Sequence, residues 1–286
     1  MQTRTRLLSA AALACLAASA QAQMLVGITS ANEIARFDAA NPAMATRTAI
    51  TGLDAGDRFV GIDLRPSNNT IYGLTLSNRL YTLNESTGAA TLVAALSSPV
   101  INGAQGWGLD FNPVADFAGA TSLRVVGSMG GNFAINAVTG AVTVATPIAA
   151  GHSGVAYINS SPAGAPTTTG LYYINGATDT LAFAATGFNA PTITTVGALG
   201  LDVLNANGFE ILGNGMAYAA LNRDGGTLGT GLYGINLMTG AATMVGEFNG
   251  TLTGLTVSAV PEPGTWTLML AGVAVAVGAA QRRRQG

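Results

Sequence analysis

Apolar and polar residues alternate in RLYTLNESTGAATLVAAL (79–96), break at a polar pair with glycine, then alternate again. NFAINAVTGAVTVATPI (132–148) and LYGINLMTGAATMVGEF (232–248) repeat the pattern. Period-two alternation on both sides of a turn predicts a β-hairpin. Gly88, Gly140 and Gly240 occupy the turn, where glycine takes a positive φ without steric cost. A degenerate copy, TLAFAATGFNAPTITTVGAL, places Gly187 there, and the first copy, IARFDAANPAMATRTAI, uses Asn41-Pro42. From Asn41 through Gly88, Gly140 and Gly187 to Gly240 the intervals are 47, 52, 47 and 53 residues.

A second motif lies between these hairpins: FVGIDLRPSNNTIYGLT, GWGLDFNPVADFAGATSLRVVGSM, SGVAYINSSPAGAPTTTGLYYIN and NGFEILGNGMAYAAL. Each reads as two short strands around a turn, with Pro66 and Pro113 marking that turn in two copies. The last copy, LTGLTVSAV, stops after one strand, while MLVGIT near the start supplies an isolated strand. Such an offset is what a closed ring needs, because strands from both ends of the repeat array then complete one blade. Four short strands in each repeat of 47–53 residues predict an all-β fold, a five-bladed β-propeller. A β-solenoid has shorter repeats, and a sandwich need not repeat at all.

The two ends depart from this pattern. MQTRTRLLSAAALACLAASAQAQ carries Arg4 and Arg6, an apolar stretch from Leu7 to Ala18, and Ala20-Gln21-Ala22. These are the parts of a secretory signal peptide over 1–22, cleaved after Ala22 to leave Gln23 first, with the Sec translocon as the export partner. The single cysteine, Cys15, falls inside it behind Ala12-Leu13-Ala14, a weak lipobox, so it reads as a small apolar residue of the signal. The mature chain then has no thiol, which excludes disulfides, cysteine metal sites and a cysteine nucleophile. Between the labels, over 23–259, there is no lysine, and seven arginines face thirteen acidic residues, a net charge of −6. A balance of that sign excludes nucleic acid and anionic lipid as electrostatic partners.

At the other end, 260–286 reads VPEPGTWTLMLAGVAVAVGAAQRRRQG. Thr265 to Ala280 is free of charge, and at about 1.5 Å per residue a helix over 265–280 spans roughly 24 Å, short of a bilayer core of about 30 Å. Arg282, Arg283 and Arg284 form a membrane stop that stays cytoplasmic by the positive-inside rule. Pro261-Glu262-Pro263, the apolar helix and the arginines, in that order, closely resemble the PEP-CTERM sorting signal of Gram-negative bacteria. The resemblance implies recognition by exosortase, a membrane-embedded transpeptidase-like enzyme, and processing near the motif. It also implies transient inner-membrane anchoring, then a place on the cell surface or in the matrix, in company with exopolysaccharide and biofilm production. The repeats resemble, besides, a secreted bacterial propeller family of uncharacterised function with G-[IL]-D-[FL]-x-P and L-Y-x-[LI]-N-x-x-T-G segments, which implies a fold and no activity.

Candidate chemistry is sparse. Aligning the second motif puts Asp63, Asp110, Ala156, Glu210 and Thr256 at one equivalent position, two residues after a glycine on the same strand face. Three carboxylates from different blades, brought together near the axis, would be the machinery of a glycoside hydrolase or lyase. A residue that recurs through repeats is more readily explained by structure, as a buried acceptor that fixes a turn. His152, the one histidine, stands beside Ser153 without a spaced acid and reads as a solvated loop residue. Asp54 and Asp57 in LDAGDR, and Asn222 and Asp224 in NRDGG, lack full calcium-loop spacing and read as polar turns. Trp107, Tyr72, Tyr81, Tyr172 and Tyr233 are aromatic enough to stack on sugars, but their place in repeated strands assigns them to packing between blades. The expectation is therefore a non-enzymatic binding or structural protein of the envelope or exopolysaccharide matrix, partnered by polysaccharide or an envelope protein, with no metal and no cofactor. The acidic triad Asp63, Asp110 and Glu210 is the alternative. A component that stacks in the matrix without a discrete ligand is a third reading.

Overall fold

The computed structural model describes residues 23–120, 123–223 and 229–259. The signal peptide, Asp224, the Pro261-Glu262-Pro263 motif, the helix over 265–280 and Arg282 to Arg284 lie outside the described residues. Among the described residues, twenty strands assemble into five four-stranded antiparallel sheets. The outer three strands of blade 1 are β1 (Met24–Thr29), β2 (Glu33–Asp38) and β3 (Thr46–Ala49). Blade 2 has β4 (Phe59–Arg65), β5 (Thr70–Thr75), β6 (Arg79–Leu83) and β7 (Ala90–Ala95), and blade 3 has β8 (Trp107–Phe111), β9 (Leu123–Gly127), β10 (Asn132–Ile135) and β11 (Val142–Val144). Blade 4 runs β12 (His152–Tyr157), β13 (Leu171–Asn175), β14 (Thr180–Ala184) and β15 (Thr194–Ala198). Blade 5 runs β16 (Val203–Ile211), β17 (Ala217–Arg223), β18 (Thr230–Ile235) and β19 (Ala242–Glu247). The last strand, β20 (Leu252–Val257), pairs antiparallel with β1, from Leu25 opposite Val257 to Thr29 opposite Leu252, and so closes blade 1 with chain from the far end of the array.

Burial falls off along each blade. The innermost strands β4, β8, β12, β16 and β20 touch one another in a ring, and every residue of WGLDF and HSGVAY is buried. The outermost strands, such as TRTA and VTV, are mostly exposed. Blade faces pack on one another through apolar clusters, one of them joining Tyr72 and Leu74 of blade 2 to Trp107, Leu109 and Phe111 of blade 3.

The N-x-x-T-G turns show why those residue types recur. In Asn84–Gly88 the Asn84 Oδ1 accepts from the N–H groups of Ser86 and Thr87, each at 3.0 Å, and the Gly88 N–H donates to the Asn84 carbonyl at 2.9 Å. Asn136 and Asn236 repeat both devices, an arrangement in which the side chain mimics a backbone turn. Gly88, Gly140 and Gly240 have φ of 75°, 71° and 83°. A Cβ at Gly88 or Gly140 would also lie 2.1 or 2.2 Å from the carbonyl oxygen of Ala49 or Ala95 in the outer strand of the preceding blade. Glycine is thus demanded twice, by the turn and by the blade beside it. One turn departs from expectation: after β8 the chain forms a short helix, α1 (Pro113–Phe117), because Asn112 caps it by accepting from the Ala115 N–H at 3.0 Å and Pro113 sits where no N–H is needed.

Candidate functional site

The innermost strands bring one equivalent position from every blade to the hub: Thr256, Asp63, Asp110, Ala156 and Glu210, for blades 1 to 5 in turn. Each follows a glycine by two residues, and these glycines let inner strands approach closely. A Cβ at Gly108 would lie 2.9 Å from the Val155 amide nitrogen, and one at Gly208 would lie 2.5 Å from that of Leu255. The polar side chains then reach the next blade. Asp63 Oδ2 accepts from the Phe111 N–H at 2.7 Å and Asp110 Oδ1 from the Tyr157 N–H at 3.1 Å. Glu210 Oε2 accepts from the Val257 N–H at 3.2 Å, and Thr256 Oγ1 from the Leu64 N–H at 2.9 Å. In every case the donor is the residue just after the equivalent position in the following blade. Four of the five joints are tied this way; the joint from blade 4 to blade 5 has Ala156 and therefore no such side chain.

The three acids also meet each other. One carboxylate oxygen from each of Asp63, Asp110 and Glu210 lies within 4.8 Å of the others, and the residues are only 3–4 % exposed. Thr256 Oγ1 stands between two of them, 2.8 Å from Glu210 Oε2 and 3.1 Å from Asp63 Oδ1. A hydroxyl has a single proton and Thr256 already accepts from Leu64, so it donates to only one of these oxygens at a time. The other short contact is favourable only when that carboxyl itself carries a proton. Burial pushes all three acids above the ordinary carboxyl range, followed by the charge of Glu210 at Asp63 and by the charges of Asp63 and Glu210 at Asp110. At Glu210 the hydrogen bonds from Thr256 and the Val257 N–H pull the other way, without overcoming burial. Burial and mutual repulsion therefore disfavour three full charges in the hub and favour a retained proton or a bound cation. Three carboxylates and a hydroxyl offer hard oxygen ligands, a partial shell for calcium, which takes six to eight.

For sugar chemistry the arrangement is tight. Carboxyl groups that cleave glycosides stand about 5–5.5 Å apart when retaining and about 6.5–9.5 Å apart when inverting, with the bond between them. Here one oxygen of each acid lies within 4.8 Å of the others, Thr256 stands between Asp63 and Glu210, and each carboxyl accepts from a backbone amide. Of the three, Glu210 borders a cavity of about 250 Å³ at one end of the hub, lined also by Leu64, Ser160, Ser161, Asn214 and Val257.

His152 is not a solvated loop residue: it opens β12, is buried, and its Nδ1 meets the Ala149 carbonyl at 2.8 Å while its ring packs edge-on against Tyr173. Burial pushes its pKa down. Asp54 pairs with Arg79, and Asp57 accepts from the Arg58 and Ser77 N–H groups at 2.9 and 3.1 Å, which makes it a turn cap. Asn222 accepts from the Thr230 hydroxyl at 2.8 Å. Trp107, Tyr72, Tyr81 and Tyr233 are buried; Tyr72 packs edge-on against Phe111 of the next blade, and half-buried Tyr172 donates to the Leu237 carbonyl in blade 5. Two interblade ties escaped the sequence pattern because they occur once each. Arg65 pairs with buried Asp116 of α1 at 2.6 Å, and Arg36 pairs with buried Glu85 at 3.2 Å.

A family model described as a domain of unknown function, DUF4394, matches residues 33–256, nearly the whole ring. The chain belongs to the DUF4394 family. A second model, the PEP-CTERM protein-sorting motif, matches residues 259–284 of this DUF4394 protein, which makes it an exported protein processed at the membrane, with a sorting motif that exosortase recognises. No curated protein matches it. Among solved structures, it is similar to a protein of unknown function from Bacteroides thetaiotaomicron, at 13 % identity and a TM-score of 0.48, over 82 % of this chain and 66 % of that one. A protein of unknown function from Bacteroides caccae matches at 12 % identity and a TM-score of 0.42, over 82 % and 98 % of the two chains. The calcium-binding protein regucalcin from Agrobacterium tumefaciens matches at 13 % identity and 0.41, over 80 % and 75 %. The DUF4394 chain spans about two thirds of the first of these structures, and likeness at this level assigns it no activity.

Proposed function

We propose that this protein is a non-enzymatic binding or structural component of the envelope or exopolysaccharide matrix. An N-terminal signal peptide sends it through the Sec translocon, and the apolar helix over 265–280 holds it briefly in the inner membrane with Arg282, Arg283 and Arg284 inside. Exosortase then releases it to the surface of a Gram-negative cell. One observation carries the non-catalytic part of this reading: every acid of the hub accepts a backbone N–H from the neighbouring blade. A group so committed ties the ring together, and its recurrence through the repeats follows from that task. A surface with few charges, rich in threonine and asparagine, suits uncharged polyhydroxyl chains or a protein face.

The meeting of Asp63, Asp110 and Glu210 within 4.8 Å favours a second reading, a glycoside hydrolase or lyase entered through the cavity beside Glu210. One experiment separates the two. The exported protein and its Glu210→Gln variant are incubated with a panel of bacterial exopolysaccharides, with bound glycan, new reducing ends and unsaturated sugar ends measured together. The binding reading expects retention of glycan by both proteins and no new ends. Ends released by the wild type and abolished in Glu210→Gln would replace it with the hydrolase reading.

A further inference from the structure

The described chain is pinned just before its sorting motif. Ser258, the first residue after β20, donates its N–H to the Met24 carbonyl at 3.0 Å, and its Oγ lies 3.0 and 2.9 Å from the two carboxylate oxygens of Glu85. Glu85 is buried, 4 % exposed, and its Oε2 is 3.2 Å from Arg36 Nε of blade 1. One residue further on, the Ala259 carbonyl accepts from Asn69 Nδ2 at 2.8 Å. Asn69 sits in the turn between β4 and β5 with φ of 50°, and Ala259 closes one side of a groove of about 460 Å³ lined with Thr70, Thr82, Asn84 and Thr91.

The repeats show that the turn does not ask for Glu85. It is the second residue of an N-x-x-T-G turn, and the sister turns carry Ala137 and Leu237 there with the same hydrogen bonds. Ring closure does not ask for the contacts of Glu85 and Asn69 either, since β20 ends at Val257 and only the Ser258 N–H continues its pairing with β1. A buried carboxylate that the turn does not require, and that beyond its tie to Arg36 reaches chain on the threshold of the sorting motif, holds the tail as well as the blade joint.

We propose that Glu85, Arg36 and Asn69 form a releasable clamp that positions the sorting motif and limits the processing enzyme's access to it. The proposal rests on the reading that the tail is processed. With Ala259 held, Pro261 is two residues from a fixed point, a reach of at most about 7 Å. With the clamp open the fixed point retreats to Ser258, whose N–H stays on the Met24 carbonyl; Pro261 is then three residues away and the reach grows by half, to about 10 Å. A shorter tether leaves a membrane-embedded enzyme less free chain to engage, so the clamped state is the slow substrate.

The test follows tail removal from the full chain in an exporting host that supplies exosortase, by intact mass and by loss of a C-terminal epitope over time. Glu85→Ala, which copies the sister turn, and Asn69→Gly, which suits the positive φ, should each speed removal at least threefold. A four-residue Gly-Ser insertion between Ala259 and Val260 leaves the clamp intact, should give the same gain, and should make Glu85→Ala silent when the two are combined. Removal at the wild-type rate or slower in Asn69→Gly, or an additive effect of Glu85→Ala upon the insertion, would overturn the clamp. A wild-type chain that keeps its tail throughout would instead overturn the sorting reading on which the clamp rests.

Discussion

Asp110→Asn should stabilise the protein at alkaline pH. Asparagine keeps an Oδ1 to accept the Tyr157 N–H, now at 3.1 Å, and removes one of three acids whose oxygens lie within 4.8 Å of each other. Two full charges 4.8 Å apart repel by about 3.5 kcal/mol at an effective dielectric constant of about 20. Asp110 faces two such neighbours, so a fully ionised cluster is strongly disfavoured and, without a cation, retained protons are the expected charge balance. Its carboxyls titrate above the ordinary range because burial, then like charge, disfavours ionisation. The sign follows from linkage: between the ordinary carboxyl pKa of about 4 and the raised folded value, the folded state binds more protons than the unfolded one, so stability falls as pH rises. Each unit of separation costs about 1.4 kcal/mol per group. We expect Asp110→Asn to gain about 1–3 kcal/mol at pH 8, or some 2–4 °C in melting temperature per kcal/mol, and nothing near pH 3.5, where wild-type carboxyls are protonated in both states. Urea unfolding in EDTA across this range is the assay. Equal stability at pH 8, or a difference that does not vary with pH, would refute a protonated hub. Repeating the series with calcium reports the alternative charge balance: a cation in the cluster stabilises the wild type over its EDTA value and leaves Asp110→Asn unmoved.

Other expectations concern the ties between blades. Thr256→Val strands the Leu64 N–H and removes the hydroxyl between Asp63 and Glu210, and should cost about 2–4 kcal/mol in urea unfolding. Gly140→Ala meets both a positive φ and the Ala95 carbonyl oxygen 2.2 Å from the new Cβ; a loss of at least about 2 kcal/mol is expected, whereas Gly119→Ala, with the same sign of φ and open space around it, should cost about half as much. Asn236→Ala removes the acceptor of the Met238 and Thr239 N–H groups on an exposed turn and should cost about 1 kcal/mol, with thermal melting as the check.

The amino-acid sequence by itself determined the blade number, the order of strands and the closure of the ring. Those depend on local alternation, on turn residues such as Asn84 and Gly88, and on the one-strand offset between MLVGIT and LTGLTVSAV, all of which are written in linear order. It also marked the hub position, because a glycine precedes Asp63, Asp110, Ala156, Glu210 and Thr256 by the same two residues in every copy. What it could not determine was the fate of the side chains there. Whether three acids from blades far apart in the chain meet, and what they accept from, depends on the radius of the closed ring and the side-chain rotamers within it. The solvated reading of His152 failed for the same reason: its neighbours along the chain are polar or small, but Tyr173 is brought onto its ring by the pairing of β12 with β13. Arg65 with Asp116 and Arg36 with Glu85 were illegible because each pair joins two blades once, and periodicity reports only what is repeated. Tertiary structure alone decided these contacts, since desolvation and hydrogen bonding act through distances that only the assembled blades set.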